Sequence, residues 1–185
     1  DNGIKLIGAD GRKASDEMER KVEELFAAPS LPAEGGAATA LDWSTRTSEY
    51  LDGIRQAALS LEGLSVVVDC ANGALSPFAP RFFRDLGATV TAINDRPDGR
   101  NINRDCGALH PERVAAKVRE LSADAGIAFD GDGDRAIFAD ESGTVRDGDH
   151  VLALCAAQMK EKGELAAETV VSTVMANFGL EKYFR

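Results

Sequence analysis

Hydrophobic and polar positions follow two different patterns along this chain, and the change comes near residue 61. In the earlier part, apolar residues recur at helical spacing over residues 15–26 and 44–59, and each segment opens with a residue that can cap a helix. Residues 27–41 between them combine prolines, glycines and alanines without any period, which indicates a linker. A short apolar run at residues 4–7 predicts a strand near the start.

In the later part, short apolar runs alternate with amphipathic segments. The runs predict strands at residues 64–70, 89–93, 125–129, 136–139, 144–146 and 169–174. The amphipathic segments predict helices at residues 77–86, 111–122, 149–162 and 180–184, and a long polar loop fills residues 94–110. Strands that alternate with helices are typical of an α/β fold. We therefore predict a mostly parallel mixed sheet flanked by helices.

Composition limits the partners more than the fold. Of the 185 residues, 44% are hydrophobic and 28% are charged, as in an ordinary globular domain, and the net charge is −10. An acidic chain lacks the basic surface that nonspecific nucleic-acid or anionic-membrane binding requires, so we expect neither partner. The three cysteines, Cys70, Cys106 and Cys155, are widely spaced and odd in number, so we expect free thiols in a reducing cytoplasm.

The strongest chemical signal is the acidic loop, residues 130–135, which reads Asp-Gly-Asp-Gly-Asp-Arg. Alternate residues of an extended segment point to one side, so Asp130, Asp132 and Asp134 can converge on one point while the glycines let the backbone curl. Three carboxylates at close range repel one another unless a cation lies among them. Oxygen ligands select a hard cation, and we therefore predict Mg²⁺, Mn²⁺ or Ca²⁺ rather than zinc.

Two other interpretations of the acidic loop stay open from the residues alone. An EF-hand-like calcium loop would use the three aspartates, with Glu141 at its twelfth position. Arg135, however, stands where that loop requires glycine, and the predicted flanking elements are strands rather than helices. A solvated acidic turn without a ligand is the other interpretation, although it does not explain why apolar strands bracket the loop. We favour a catalytic metal loop.

The acidic loop resembles the metal-binding loop of the α-D-phosphohexomutases. Residues 1–5 and 68–74 are also similar to motifs of that family. Its phosphoglucosamine mutase branch is resembled most closely by residues 101–103, 106–107, 110–112, 147–149, 152–154, 173–177 and 179–181. The resemblance covers nearly the whole chain and is weaker across the linker.

The resemblance implies a protein of four domains. This chain is then expected to hold the end of the first domain in residues 1–30, a linker in 31–42, the complete second domain with the acidic loop in 43–165, and the start of the third in 166–185. It has no initiator methionine, and we expect it to begin partway through a longer protein.

The resemblance also implies roles for individual residues. Asp130, Asp132 and Asp134 would hold Mg²⁺ together with an oxygen of a phosphoserine. Arg135 would bind the phosphoryl group, and Lys5 would act as general acid or base toward a sugar hydroxyl. In relatives the reactive serine stands in a Ser-His-Asn-type loop just before the counterpart of the first residues here. We therefore expect this chain to contain the metal ligands but no phosphoserine nucleophile.

Members of the family move a phosphate between O6 and O1 of a hexose through a phosphoserine and a bisphosphorylated sugar. The resemblance implies an intramolecular phosphotransferase that interconverts glucosamine 6-phosphate and glucosamine 1-phosphate, in the cytoplasm, on a route to bacterial cell-wall amino sugars. Its cofactor would be Mg²⁺ and its partner a phosphorylated hexosamine. The alternatives are a phosphoglucomutase or phosphomannomutase of the same family, or a noncatalytic Ca²⁺- or Mg²⁺-binding module. We expect the chain alone to be inactive, and its exposed strand edges to allow a homodimer.

Overall fold

The computed structural model of the chain describes residues 6–27 and 44–185. Its internal contacts divide the chain into two units, Asp1–Tyr50 and Leu51–Arg185. Almost all of the predicted linker lies outside the described residues.

In the first unit, α1 (Asp16–Ala27) forms where the apolar spacing predicts a helix. Ser15 caps it, because its Oγ accepts the Met18 N–H at 3.4 Å, and acidic residues fill the first turn, where the helix dipole favours them. The strand predicted at residues 4–7 is absent from its described half, where Ile7 makes one isolated antiparallel bridge with Lys13.

The second helix, α2 (Ser44–Arg55), is shorter than the one predicted over residues 44–59. Its end tightens, because the Ala57 and Ala58 N–H groups donate to carbonyls three residues back at 3.0 and 3.2 Å. Leu59, which would extend the apolar face, is 79% exposed. The spacing of apolar residues therefore overestimates this helix by about one turn.

A five-stranded sheet forms the centre of the second unit. Its strands are β1 (Ser65–Asp69), β2 (Thr89–Ile93), β3 (Ala125–Phe129), β4 (Ala136–Asp140) and β5 (Val145–Arg146). They lie in the order β2-β1-β3-β4-β5, with β1 parallel to β2 and β3, and β4 antiparallel to β3 and β5. Four of the five strands thus run in one direction, and the predicted mixed sheet is confirmed. The carboxyl ends of β1, β2 and β3 meet at one edge, where ligands bind in such sheets.

Helices lie between the strands of the second unit and after them. They are α3 (Ala79–Asp85), α4 (Pro111–Leu121), α5 (Gly148–Glu161) and α6 (Phe178–Tyr183), with 3₁₀ helices at Gly107–Leu109 and Ala166–Glu168. Proline opens α4, where a missing N–H costs little, and Ser122 ends it with φ +50°. Asp147 caps α5 by accepting the N–H groups of Asp149 and His150. Within the described ranges, every helix is too short or too polar to cross a membrane.

The side chains of β1 divide the core between the two faces of the sheet. Val67 packs with Val114 and Val118 of α4, whereas Val66 belongs to a second cluster that includes the start of α3. Gly126 in β3 lets α4 approach closely, since a Cβ there would lie 2.7 and 2.8 Å from the valine methyl groups of α4. Each of these buried valines stabilises the fold by about 1.5–3 kcal/mol.

Residues 169–174 do not form a strand, contrary to the prediction. The chain turns just before them, where Ala167 and Glu168 have φ of +50° and +48°. Val171 and Val174 are 86% and 100% exposed, and among the described strands none pairs with this segment. A run of valine and threonine favours extended backbone, but a strand forms only where a neighbour completes the hydrogen-bonded ladder.

Candidate metal centre

The acidic loop joins β3 to β4 at the edge where the carboxyl ends of the parallel strands meet. Asp130 follows directly on β3 and is 1% exposed, whereas Asp132 and Asp134 lie at the surface. One oxygen from each of the three carboxylates lies within 4.8 Å of the other two. The alternation of aspartate and glycine thus brings the three predicted residues together.

Asp130 anchors the acidic loop through its hydrogen bonds. Its Oδ1 accepts the Gly133 and Arg135 N–H groups, both at 3.1 Å, and its Oδ2 accepts Arg135 Nε–H at 2.8 Å. Burial favours the protonated form, but the hydrogen bonds and charge of Arg135 outweigh it and lower the pKa of Asp130 to about 2. The same pairing raises the pKa of Arg135. Both groups are therefore charged at neutral pH.

Glycines let the acidic loop pack directly on the loop that follows β1. A Cβ on Gly73 would lie 2.2 Å from the Gly131 carbonyl oxygen, and the Ala74 N–H donates to that oxygen at 2.8 Å. Gly133 has φ +77°, which glycine adopts without strain. The backbone of the acidic loop is thus held by its neighbours as well as by its own turn.

The donor set fits a hard divalent cation. All three residues offer carboxylate oxygens, the ligands that Mg²⁺ and Ca²⁺ prefer. The three carboxylates converge beside the guanidinium of Arg135, and carboxylates at such close range favour a cation among them. Strands β3 and β4 flank the loop, so the chain does not form the helix–loop–helix of an EF-hand.

Arg135 places a guanidinium beside these carboxylates. Its Nε lies 2.8 Å from Asp130 Oδ2 and 3.8 Å from Asp134 Oδ1, and its side chain is 62% exposed. A guanidinium carries five N–H donors in a planar fork, of which the Asp130 contact uses the one on Nε. A group that is fixed at one end and exposed at the other is suited to bind phosphoryl oxygens in pairs.

The acidic loop contains neither the predicted proton-transfer residue Lys5 nor a histidine. Lys5, the other predicted catalytic residue, lies outside the described residues. His110 is the N-cap residue of α4, and its Nδ1 lies 3.2 Å from Glu112 Oε1. His150, in the first turn of α5, has its Nδ1 2.7 Å from Asp147 Oδ1. Both histidines therefore take part in helix starts.

Two residues next to the acidic loop received no role from the sequence. Asp69, the last residue of β1, is fully buried. Asn103 lies over the acidic loop, since a Cβ on Gly131 would be 2.7 Å from its Nδ2. Their positions in the sequence could have indicated a place near the site. Asp69 ends a parallel strand, Asn103 lies in the loop after another, and such loops meet at one edge of the sheet.

A cavity of about 890 Å³ lies between α5 and the C-terminal segment. It is lined by apolar residues such as Val174, Phe178 and Leu180 and by none of the acidic loop. Among the described residues the only cluster of three or more potential metal-ligating side chains is that of the acidic loop. We therefore place the candidate site by its chemistry and not by cavity size.

Two family models match the chain. The model for phosphoglucomutase/phosphomannomutase, alpha/beta/alpha domain II, matches residues 48–143, which include β1 to β4 and the acidic loop. The model for alpha/beta/alpha domain III of the same family matches residues 147–185.

Similar proteins cover nearly all of this chain. The phosphoglucosamine mutase of Desulfotalea psychrophila is 47% identical over an alignment of 188 positions, which covers 98% of this chain and 42% of that protein. The phosphoglucosamine mutase of Methylocella silvestris is 48% identical over an alignment of 189 positions, which covers 99% of this chain and 42% of that protein. The chain thus spans about 42% of the length of these curated relatives. Among solved structures, a phosphoglucomutase/phosphomannomutase family protein from Burkholderia thailandensis matches with a TM-score of 0.62 and 27% identity, covering 80% of this chain and 32% of that one.

Proposed function

The chain belongs to the phosphoglucomutase/phosphomannomutase family, and from this premise we propose that it carries the Mg²⁺-binding domain of a phosphoglucosamine mutase. The whole enzyme would interconvert glucosamine 6-phosphate and glucosamine 1-phosphate in the cytoplasm, on a route to cell-wall amino sugars. The observation that carries the proposal is the convergence of three carboxylates within 4.8 Å beside Arg135. The 47% identity to a phosphoglucosamine mutase favours an amino-sugar phosphate over glucose or mannose phosphates.

The three aspartates of the acidic loop would hold the metal ion. When bound, Mg²⁺ offsets the negative charge of a phosphoryl group and stabilises the charge that develops during transfer. Asp130 is already fixed by Arg135 and by the backbone of its own turn, so little ordering of this ligand is needed. Asp132 and Asp134 lie at the surface, where a phosphorylated partner can approach them.

Arg135 would orient the transferring phosphoryl group. Its Nε is tied to Asp130, which fixes the direction of the guanidinium, and its charge is permanent because the pairing raises its already high pKa. Paired hydrogen bonds from such a group hold phosphoryl oxygens in one orientation. Lys5 keeps the proposed role of moving a proton at the sugar hydroxyl, and this role rests on the family resemblance.

An exchange of segments tests whether this chain supports turnover. In the phosphoglucosamine mutase of Desulfotalea psychrophila, the matched region, which is 42% of that protein, is replaced by this chain. Conversion of glucosamine 6-phosphate is then measured with Mg²⁺ and after chelation. We expect turnover that chelation abolishes and added Mg²⁺ restores.

Two substitutions in the same chimera sharpen this test. Asp132→Asn is expected to lose nearly all turnover, because it removes a metal ligand. Asp140→Asn, which removes a carboxylate from the next turn of the sheet, is expected to keep it. A folded chimera that works equally well with Asp132→Asn, or without a divalent metal, would overturn the proposal.

The isolated chain supplies a complementary measurement. We expect it to bind the metal but not to convert glucosamine 6-phosphate, since the proposed reaction needs a phosphoserine as well. Measurable conversion by the purified chain would contradict this expectation. The homodimer expected from exposed strand edges stays a prediction, and a monomer by light scattering at high concentration would count against it.

A further inference from the structure

Asp69 is a fully buried carboxylate that the proposed chemistry does not use. It is the last residue of β1, at the same edge of the sheet as the acidic loop. Its Oδ1 accepts the Ala71 N–H at 2.9 Å, and its Oδ2 accepts the Gly107 N–H at 3.0 Å. Burying a carboxylate is costly unless hydrogen bonds compensate, and here both bonds go to loop backbone. One side chain thus ties two loops together.

The bond to Ala71 shapes the loop that supports the acidic loop. Ala71 and Asn72 have φ of +52° and +48°, which residues with a Cβ rarely adopt. An aspartate that accepts the N–H two residues on stabilises a turn of this kind. The turn leads into Gly73, where a Cβ would lie 2.2 Å from the Gly131 carbonyl oxygen, and into Ala74, whose N–H donates to that oxygen at 2.8 Å. Asp69 therefore acts on the acidic loop through a backbone-to-backbone contact.

The same turn also holds a third loop against the acidic loop. The Ala71 carbonyl accepts the Asn103 N–H at 2.9 Å. The Asn103 amide lies over Gly131, since a Cβ there would be 2.7 Å from Asn103 Nδ2. Gly131 thus lies between the Gly73–Ala74 backbone and the Asn103 side chain. A shift of Ala71 would therefore move both of these neighbours.

The bond to Gly107 acts on the residue just before the acidic loop. Gly107 has φ +72°, and a Cβ on it would lie 2.4 Å from the Phe129 carbonyl oxygen and 2.5 Å from Ala71 Cβ. Phe129 is the last residue of β3 and precedes Asp130. Asp69 thus fixes the Gly107 backbone where it packs against the end of β3. Asp130, the first proposed metal ligand, follows directly on that strand.

We infer that Asp69 is a positioning residue for the metal-binding loop, which acts through these backbone contacts and does not touch the metal. The inference rests on the metal centre proposed above and names the group that sets its geometry. When residues that orient metal ligands without touching the metal are replaced, metal affinity typically falls about 10–100-fold.

Asp69→Asn in the whole chain tests the inference. The amide keeps the size of the side chain but turns one acceptor into a donor, which then faces a backbone N–H. Mn²⁺ serves as the probe, because it takes the same oxygen ligands as Mg²⁺ and is followed by electron paramagnetic resonance. We expect Mn²⁺ binding to weaken about tenfold or more, while circular dichroism shows a folded chain.

Asp124→Asn is the matched control. Asp124 Oδ2 accepts the Ser65 N–H and Oγ–H at 2.7 and 2.8 Å, at the opposite ends of β1 and β3. Its loss affects the same two strands but not the edge with the acidic loop, so we expect unchanged Mn²⁺ affinity. Equal weakening by Asp69→Asn and Asp124→Asn, or none by Asp69→Asn, would overturn the positioning role.

Two further variants keep every outcome decisive. If Asp69→Asn does not fold, Asn103→Gly replaces it, because glycine suits the φ of +54° and removes the amide over the acidic loop. Unchanged Mn²⁺ affinity in Asn103→Gly would then overturn the route from Asp69 through Ala71 and Asn103 to the acidic loop. Asp132→Asn tests the metal centre itself, and if it binds Mn²⁺ like the unmodified chain, the proposed centre fails, whatever Asp69→Asn shows.

Discussion

Two acidic turns of the same sheet differ in how many carboxylates they bring to one point. In the hairpin turn between β4 and β5, Asp140 Oδ1 accepts the Ser142 N–H and Oγ–H and the Thr144 N–H at 3.0, 2.6 and 2.9 Å. Arg146 Nε donates to its Oδ2 at 2.9 Å. Four donors of the turn and its strand thus serve one carboxylate. In the acidic loop, three carboxylates converge on one point beside the guanidinium of Arg135.

The pKa values show the same contrast. Ser142, Thr144 and Arg146 together hold the pKa of Asp140 well below its usual range. The pKa of Asp130 is also low, in spite of burial, because of Arg135. The acidic loop, however, carries two further carboxylates at the same point. An acidic turn therefore becomes a candidate cation site when several of its carboxylates converge on one point.

Metal binding should separate the two turns by the largest effect. Asp132→Asn removes one of the converging charges. Replacing a residue that only orients a metal ligand weakens metal binding by about 10–100-fold, and we expect the loss of a ligand itself to weaken Mg²⁺ binding more. Asp140→Asn is expected to leave Mg²⁺ binding unchanged. Isothermal titration calorimetry on both variants measures the difference. Equal losses in the two variants would mean that overall charge, not convergence, governs binding.

Close packing of Gly73 against the acidic loop should give the next largest effect, on the stability of the fold. Gly73→Ala places a Cβ 2.2 Å from the Gly131 carbonyl oxygen, and we expect it to lower the free energy of unfolding by about 1–3 kcal/mol. Gly148→Ala is the control, because nothing lies within 4 Å of a Cβ there. Since it lies in the first turn of α5, its effect should stay within about 1 kcal/mol. Urea denaturation compares the two, and a Gly73→Ala variant as stable as the unmodified chain would contradict the close packing.

The hairpin turn should matter for stability alone. Asp140→Asn loses acceptor capacity for its four donors and the ion pair with Arg146, which is partly exposed. We expect its melting temperature to fall by a few degrees, less than for Gly73→Ala, with Mg²⁺ affinity retained. Differential scanning calorimetry with and without Mg²⁺ measures both. A change in the stabilisation by Mg²⁺ would show that the two turns are coupled.

The smallest effect is the pH dependence of that stability difference. The folded-state pKa of Asp140 lies below its ordinary value of 3.8, so its ionised form stabilises the fold above that value, and this contribution is lost as the pH falls through the folded-state pKa. The difference between the unmodified chain and Asp140→Asn should therefore be constant near neutral pH and shrink in acid. Denaturation series at several pH values test this, and a difference that grows in acid would contradict the sign.

Much of the central sheet could be predicted from local pattern. The apolar run at residues 125–129 is β3 at the predicted bounds, and the run at 64–70 contains β1, because both are buried segments between polar loops. The end of α2 and the segment 169–174 could not be predicted in the same way. A helix end depends on what packs against it and a strand depends on a neighbour, and neither is visible in local spacing.

The candidate site shows the same division between local and long-range information. The three aspartates could be predicted, because their spacing alone makes them converge. The contacts of Asp69, Asn103 and Gly107 could not, since they join loops that meet only when β1, β2 and β3 align in parallel. The register that places Asp69 beside Ala128 is what brings these loops to one edge.

Locating the ion tests the convergence of the three carboxylates most directly. Crystals of the chain soaked in Mn²⁺ and measured at the manganese absorption edge give an anomalous difference map. We predict a peak in the acidic loop, with one oxygen from each of Asp130, Asp132 and Asp134 within about 2.0–2.5 Å. A peak elsewhere on the chain, with none in the acidic loop, would contradict this metal centre.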